Sequence, residues 1–213
     1  MRIESVGIQL RSISPQIYRL AQPAWWILKR SFSRKRYWNR RREFAYYRVV
    51  LELSRKYVPA GTRVIDVGAS DTEVLDQLGQ FTSRVALDNR YTLPRRGIQH
   101  VRMDFMDYRP TAFFDLVLCL QVMEHLANPR AFARKLLETG RTVIISAPYR
   151  WPAGALASHR QDPVDEEKLR CWTGQDPLES LIVPDARERL IAVYRGERPP
   201  GRSHGTDRAA RSL

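Results

Sequence analysis

Short apolar runs alternate with amphipathic segments through the middle of this chain. Segments that suit strands lie at residues 63–67, 84–87, 99–103, 113–120 and 142–147. Between them, apolar residues at three- and four-residue steps predict helices, one after Ser70 and one over Pro129–Glu138. The run at 113–120 is largely apolar, as expected of a central parallel strand that is buried on both faces. Repeated strand–helix units of this kind predict a parallel sheet between two layers of helices.

The N-terminal part of the chain shows a helical pattern of its own. Residues 15–30 favour a short helix that Pro23 interrupts. An amphipathic helix is predicted from about Tyr37 to Tyr57, where the proline and glycine of 59–61 end it. We therefore expect residues 1–58 to form a basic helical extension or cap.

The C-terminal part predicts two further strands. Ser180–Val183 and Arg189–Tyr194 flank the Pro-Asp-Ala sequence at 184–186, which is typical of an antiparallel hairpin. The hairpin would complete a three-layer α/β fold with a seven-stranded, mostly parallel sheet. The main domain is expected over residues 59–196, with a polar insertion at 149–179 that holds a short helix near Asp165–Trp172. The tail at 197–213 is rich in Pro, Gly, Arg and Ser and is predicted to be disordered.

The charge of the chain is unevenly distributed. The net charge is +13, with 14 Lys and Arg against 3 Asp and Glu in residues 1–60, and 18 of each kind in residues 61–196. The basic excess therefore belongs to the N-terminal part. Its basic and aromatic stretch at 25–42 has three interpretations: a peripheral contact with an anionic membrane, RNA binding, or a solvated helix face that caps a site.

Several classes of protein are disfavoured by the composition. The 213 residues hold no apolar run of eighteen and no secretory-signal pattern, so no membrane-spanning segment is expected. The two cysteines, Cys119 and Cys171, form neither a disulfide framework nor a metal-ligand spacing. We expect a cytoplasmic protein with no metal.

Acidic residues follow three of the predicted strands. Asp66 and Gly68 end the first strand, Asp88 ends the second and Asp104 follows the third. Asp66 and Asp88 are separated by about the interval of one strand–helix–strand step, as in doubly wound nucleotide sites. Residues Ser70–Glu73 have the form of a capping box, which predicts that Ser70 caps the next helix.

This order of elements, with Asp66-x-Gly68, Asp88, Asp104 and Glu124-His125-Leu126, resembles the class I S-adenosylmethionine-dependent methyltransferases, which have a Rossmann-like fold. It is most similar to their small-molecule branch, which includes ubiquinone-biosynthesis-type enzymes. The resemblance implies that residues Asp66–Ser70 wrap the methionine part of the cofactor and that Asp88 binds its ribose. It also implies that Asp104 accepts from the adenine amino group beside Phe105, and that Leu120 and Gln121 line the methionine end. The family often has glycines where this chain has Ser70 and Thr72.

Two histidines are the candidate catalytic residues. His125 either acts as general base for a substrate hydroxyl or bonds the backbone of its own loop. His159 either pairs with Asp162, as a base with its orienting carboxylate or as part of a metal site, or lies in a solvated loop. Two such residues are too few to argue a metal.

The resemblance implies S-adenosylmethionine-dependent methyl transfer to a small-molecule acceptor, with an oxygen of a metabolite, sugar or lipid as the expected target. It also implies that the 149–179 insertion is the substrate region. The alternatives are an RNA methyltransferase that uses the basic N-terminal part, and a non-catalytic interaction module with this fold. The sequence at 120–123 lacks the Pro-Pro motif of enzymes that methylate base amines.

Overall fold

A computed structural model describes residues 43–90 and 94–197. The helix expected within 15–30, the basic stretch at 25–42 and almost all of the tail at 197–213 lie outside these residues. The described residues from Phe44 onward belong to one compact unit. The predicted extension at 1–58 and the predicted tail therefore stay predictions.

Three α-helices and seven strands make up the described unit. In chain order they are α1 Ala45–Tyr57, β1 Gly61–Val67, β2 Phe81–Asp88, β3 Gln99–Arg102, β4 Phe114–Leu120, α2 Pro129–Thr139, β5 Gly140–Pro148, α3 Glu166–Thr173, β6 Glu179–Val183 and β7 Arg189–Arg195. Two short 3-10 helices, Val74–Gln77 and Met123–His125, lie in the connections that follow β1 and β4.

The strands form one seven-stranded sheet in the order β3-β2-β1-β4-β5-β7-β6. The first five strands are parallel, with Asp66 opposite Ala86 on β2 and Leu118 on β4. The C-terminal hairpin is antiparallel, and β7 rather than β6 pairs with β5. The predicted seven-stranded, mostly parallel sheet with an antiparallel hairpin is confirmed.

Helices cover both faces of the sheet, because alternate strand residues point to opposite sides. The larger core joins one face to α2 and α3; its members include Ile65, Val67, Val117, Cys119, Ile145, Phe132, Leu136, Leu169 and Trp172. On the other face, α1 packs against β5, β6 and β7 and buries Tyr46, Val50 and Leu53. This gives the expected three layers.

The helix predicted from about Tyr37 begins at Ala45 within the described residues. Phe44 before it has an extended backbone and makes no side-chain cap. The cap comes instead from the β6–β7 turn, where Asp185 Oδ1 accepts from Ala45 N at 2.7 Å and Oδ2 from Tyr46 N at 3.2 Å. A carboxylate at this end of α1 also interacts favourably with the helix dipole. α1 is therefore fixed by a residue 140 positions further along the chain.

The predicted capping box at Ser70–Glu73 is wrong. Ser70 has φ 48°, a left-handed conformation, whereas an N-cap residue is extended. Its hydroxyl lies 3.3 Å from Asp71 Oδ1. The expected α-helix is absent from the described connection between β1 and β2, which contains the four-residue 3-10 helix Val74–Gln77. Val74 and Leu75 are buried as expected, although they lie in a short 3-10 helix. The loop before this helix is held to β2 by hydrogen bonds.

Among the described residues, no helix has the length and apolar character that crossing a membrane requires.

We expect Asp185→Ala to lower the free energy of unfolding by about 1–2 kcal/mol, because two N–H groups at the start of α1 lose their acceptor. Urea denaturation would measure the change. Asp107 is exposed and serves as the matched control; Asp107→Ala should cost less than about 0.5 kcal/mol. Equal losses in the two variants would contradict the capping role.

Candidate functional site

The loop after β1 has a backbone that few residues can adopt. Gly68 has φ 77° and Ser70 has φ 48°. A Cβ added at Gly68 would overlap Cγ2 of Val122, which lies in the loop after β4. Glycine is required at this position both for the left-handed backbone and for the close approach of the two loops.

The end of β2 holds this loop in place. Leu87 O accepts from Gly68 N at 2.8 Å and from Ala69 N at 3.1 Å. Asp88 Oδ2 accepts from Ser70 N at 3.1 Å, and Asp88 Oδ1 accepts from Arg90 N at 2.8 Å. The Asp88 carboxylate is therefore oriented by backbone groups on both sides.

Asp66, the acid at the end of β1, is 2% exposed. Thr72 Oγ1 donates to its Oδ2 at 3.2 Å. Burial raises the pKa of Asp66 to about 7; the Thr72 hydrogen bond opposes this rise and the charge of Asp88 adds to it. Near neutral pH this carboxyl is thus poised between its charged and uncharged forms.

Asp104 and Phe105 follow β3 but differ in environment. Arg102 lies opposite Asp88 in the parallel β2–β3 pairing, so Asp104 comes to the same edge of the sheet. The Asp104 side chain is exposed and accepts from Met106 N at 2.8 Å. Phe105 is 3% exposed, and its ring centroid lies 4.9 Å from that of Phe132. The predicted contact with an adenine ring would reach only the small exposed part of Phe105, since most of its ring is in the core.

Gln121 lies directly after β4 and has φ 57°. Its N–H donates to Ser146 O at 2.9 Å, and its Nε2 donates to Ser146 Oγ at 3.1 Å. Both bonds join the ends of β4 and β5. The Gln121 side chain is therefore held at the edge where β1 and β2 also present their acids.

His125 ends the 3-10 helix that follows Gln121. Its Nδ1 lies 3.0 Å from Ser158 O. Because a carbonyl oxygen only accepts, Nδ1 carries the proton in the neutral ring and Nε2 has the lone pair. Desolvation is the main cause that lowers the pKa of His125 below 6.5. The backbone group that His125 bonds belongs to the 149–179 segment and not to its own loop. Its role as general base stays a prediction.

His159 lies in the 149–179 segment and pairs with Asp162. Its Nδ1 lies 2.7 Å from Asp162 Oδ2, and the two side chains are 3% and 2% exposed. The ring stacks against Trp151 at a centroid distance of 5.7 Å and meets His125 edge-on at 4.8 Å. The predicted pair of a histidine and a carboxylate is therefore present and buried, although residues 152–154, 156–158 and 160 around it are exposed. A role of His159 as base stays a prediction.

Glu124 brings a third group to the two imidazoles. It is 1% exposed, and its Oε1 lies 3.9 Å from His125 Nε2. One ligand-type atom from each of Glu124, His125 and His159 lies within 4.8 Å of the others. The backbone of the same residue holds the insertion in place, since Glu124 O accepts from Arg160 N at 2.8 Å.

The predicted residues thus form two groups. One surrounds the loop after β1 and contains Asp66, Gly68, Ser70 and Asp88, with Asp104 and Gln121 on the same edge. The other contains His125 and His159, and Phe105 joins neither. Sequence reasoning noted Thr72 only as a departure from the family's glycines and missed Ser146. It found neither hydrogen bond, because the position of a hydroxyl residue along the chain does not show which side chain it will hold.

The fold is that of class I S-adenosylmethionine-dependent methyltransferases, and the resemblance found in the sequence is confirmed. A family model described as methionine biosynthesis protein MetW matches residues 47–153, half of the chain. The chain therefore belongs to the MetW family. Among curated protein sequences, none matches the chain significantly.

Several solved structures share the fold at low sequence identity. The 1,6-didemethyltoxoflavin-N1-methyltransferase of Burkholderia thailandensis, with bound 1,6-didemethyltoxoflavin and S-adenosylhomocysteine, matches with TM-score 0.60 and 16% identity over 86% of this chain and 91% of its own. The N-methyltransferase NodS of Bradyrhizobium japonicum WM9 matches with TM-score 0.59 and 13% identity over 75% and 96%. CalS10, an amino pentose methyltransferase from Micromonospora echinaspora whose structure contains S-adenosylmethionine, matches with TM-score 0.52 and 14% identity over 70% and 89%.

Gly68→Ala should destabilise the protein by at least about 1–2 kcal/mol, the cost of a left-handed backbone for a residue with a Cβ. The overlap with Val122 should add to this cost. We therefore expect Gly68→Ala combined with Val122→Ala to lose less than the two single variants together, as measured by urea denaturation in a double-mutant cycle. Strict additivity would contradict the close approach of the two loops.

The stability of the protein should fall as pH rises from about 4 to about 7. The pKa of Asp66 is near 3.8 in an unfolded chain and about 7 in the fold, so the folded state binds more protons in this range. The loss is on the order of 4 kcal/mol, because the two pKa values of Asp66 differ by about three units and each unit corresponds to about 1.4 kcal/mol.

The comparison of Asp66→Asn with Asp107→Asn across this range isolates the effect. Denaturation of the Asp66 variant should depend less on pH, because the amide cannot ionise, while Asp107→Asn should follow the wild type. If the free energy of unfolding of Asp66→Asn depends on pH as steeply as that of the wild type, another group causes the pH dependence.

Proposed function

We propose that the protein is an S-adenosylmethionine-dependent methyltransferase that acts on a small molecule. The observation that carries the proposal is the set of side chains at the carboxyl edge of the sheet, where ligands bind in open α/β folds. Four successive parallel strands carry, at or just after their carboxyl ends, Asp66 and Gly68, Asp88, Asp104, and Gln121. S-adenosylmethionine or S-adenosylhomocysteine is present in several solved structures with this fold.

In this proposal the loop after β1 takes the methionine part of the cofactor. The positive φ of Gly68 turns the backbone, and the absence of a side chain allows the loop and the cofactor to approach each other. Asp88 is held by the Ser70 and Arg90 N–H groups, which fix its carboxylate for hydrogen bonds with the two ribose hydroxyls. Asp104 takes the adenine amino group, and Gln121 contacts the methionine end.

The acceptor would bind on the side of the two histidines. Methyl transfer requires the nucleophile, the methyl carbon and the sulfur to be aligned, and a protonated nucleophile must also lose its proton. His125 and His159 each hold a proton on Nδ1, so each presents an unprotonated Nε2. A group that removes a proton suits a hydroxyl acceptor, which supports oxygen as the target atom.

The Asp88→Ala variant tests the cofactor site. Calorimetric titration with S-adenosylmethionine should show binding to the full chain and at least about tenfold weaker binding to Asp88→Ala, since two hydrogen bonds to ribose are lost. Asp88→Asn, which keeps an oxygen for Ser70 N, should also bind more weakly. Asp107→Ala is the matched control and should bind as the wild type does.

Absence of cofactor binding to the wild type would contradict the enzyme proposal and favour a non-catalytic module. Unchanged affinity in both Asp88 variants would contradict the assigned ribose contact.

A further inference from the structure

We infer that Glu124, His125 and His159 form a binding site for a divalent transition-metal ion, with Zn²⁺ as its best-suited occupant. The three residues come from the 3-10 helix after β4 and from the 149–179 segment. They offer two imidazole nitrogens and one carboxylate oxygen within 4.8 Å of one another. The sequence alone predicted no metal, because it paired His159 only with Asp162.

The tautomers of both histidines suit metal binding. Ser158 O accepts from Nδ1 of His125 at 3.0 Å, and Asp162 Oδ2 accepts from Nδ1 of His159 at 2.7 Å. Each ring therefore has its lone pair on Nε2. A ligating histidine usually donates its other N–H to a carbonyl or a carboxylate, and this structure provides one of each.

The distances require only a small adjustment. Oε1 of Glu124 and Nε2 of His125 lie 3.9 Å apart, and the rings of the two histidines meet at 80°. Ligand atoms around a tetrahedral zinc ion lie about 3.3 Å apart, so a bound ion would draw the widest pair together by somewhat more than about 1 Å. The His125 side chain is 39% exposed and can make this movement.

The burial of charge also favours a cation. The side chains of Glu124 and Asp162 are 1% and 2% exposed. Asp162 Oδ1 is buried and accepts no hydrogen bond among the described residues. A divalent cation would offset two carboxylate charges in a region of low dielectric constant.

The donor set selects the class of metal. Imidazole nitrogens suit zinc and the neighbouring transition metals, whereas magnesium and calcium prefer oxygen ligands throughout. Three protein ligands leave one position of a tetrahedral ion for another molecule, as in catalytic zinc sites. Beside the proposed ligands, Trp151 stacks on the His159 ring. The guanidinium groups of Arg187 and Arg189 lie 4.7 and 4.5 Å from the centroid of the Trp151 ring.

The use of the metal in catalysis rests on the proposed function. An acceptor hydroxyl bound in the fourth position would lose its proton to solvent, because a metal ion lowers the pKa of a bound hydroxyl. Its oxygen would form a bond with the cofactor methyl carbon as the carbon–sulfur bond breaks, and the electron pair of that bond would stay on sulfur. The products are the methyl ether, S-adenosylhomocysteine and one proton. Metal ligation would then replace a direct role of His125 as the base.

The first experiment titrates the full-length, chelator-treated protein with Zn²⁺ against a chromophoric competitor, and with Co²⁺ while its visible absorption is recorded. Each protein carries Cys171→Ser, which removes the exposed thiol. We expect one equivalent of metal and cobalt bands of four- or five-coordination. His159→Ala should weaken zinc binding at least about 100-fold, and Asp162→Asn about 10- to 100-fold.

His100→Ala is the matched control, since His100 on β3 accepts from Arg95 N and lies outside the cluster. It should bind zinc as the parent does. Circular dichroism and urea denaturation show whether each variant folds. If His159→Ala does not fold, His159→Gln replaces it, because glutamine keeps a polar side chain at this position. Stoichiometric binding that is lost in the His159 and Asp162 variants supports the inference. No binding to the parent, or equal affinity in His159→Ala and His100→Ala, overturns it.

Titration of the metal-free protein with S-adenosylmethionine separates this inference from the proposed function. Cofactor binding without metal binding would overturn the metal site and leave the methyltransferase proposal intact. Metal binding without cofactor binding would support the metal site and contradict the proposed function.

Discussion

The carbonyl oxygen of Leu87 accepts hydrogen bonds from two successive N–H groups, those of Gly68 and Ala69. This shared acceptor turns the chain sharply as it leaves β1 and fixes the loop against the end of β2. The loop can turn there only because Gly68 tolerates both a left-handed backbone and contact with Val122. The positions of Asp66, Ser70 and Asp88 relative to one another all depend on this junction.

The same edge of the sheet concentrates buried ionisable groups. Asp66 lies beneath the loop after β1, while Glu124, His159 and Asp162 lie beside the loop after β4. Burying such groups is costly unless a partner compensates them, so they are rarely retained for stability alone. The domain has no net charge over residues 61–196, but several of its buried ionisable groups lie at this edge. A cationic cofactor and a metal ion are both ligands that such an edge can accept.

The central strands were predictable because each is a short apolar run that the fold buries, as in β1, β4 and β5. The edge strands β3 and β6 are mostly exposed or half-buried and have no such run. The acids of the first group were predictable for a related reason, since each stands directly after a strand. The conformation of Ser70 was not predictable, because hydrogen bonds to β2 override its local preference for capping. The pairing of His159 with Asp162 was suggested by their short separation. The approach of Glu124 and His125 to this pair was not, because it depends on how the 149–179 segment folds back over β4.

The cap that Asp185 provides to α1 has a consequence for the order of events during synthesis. α1 is made early, but the acceptor for its first N–H groups lies in the β6–β7 turn, and Lys56 and Tyr57 at its other end bond Glu179 on β6. In addition, β7 lies between β5 and β6 in the sheet. The packing of α1 on the sheet and the β5-β7-β6 end of the sheet can therefore form only after residues 179–195 have left the ribosome. The fold therefore closes by contacts of long sequence separation, and a nascent chain would expose the apolar face of α1 until nearly all of the domain had been made.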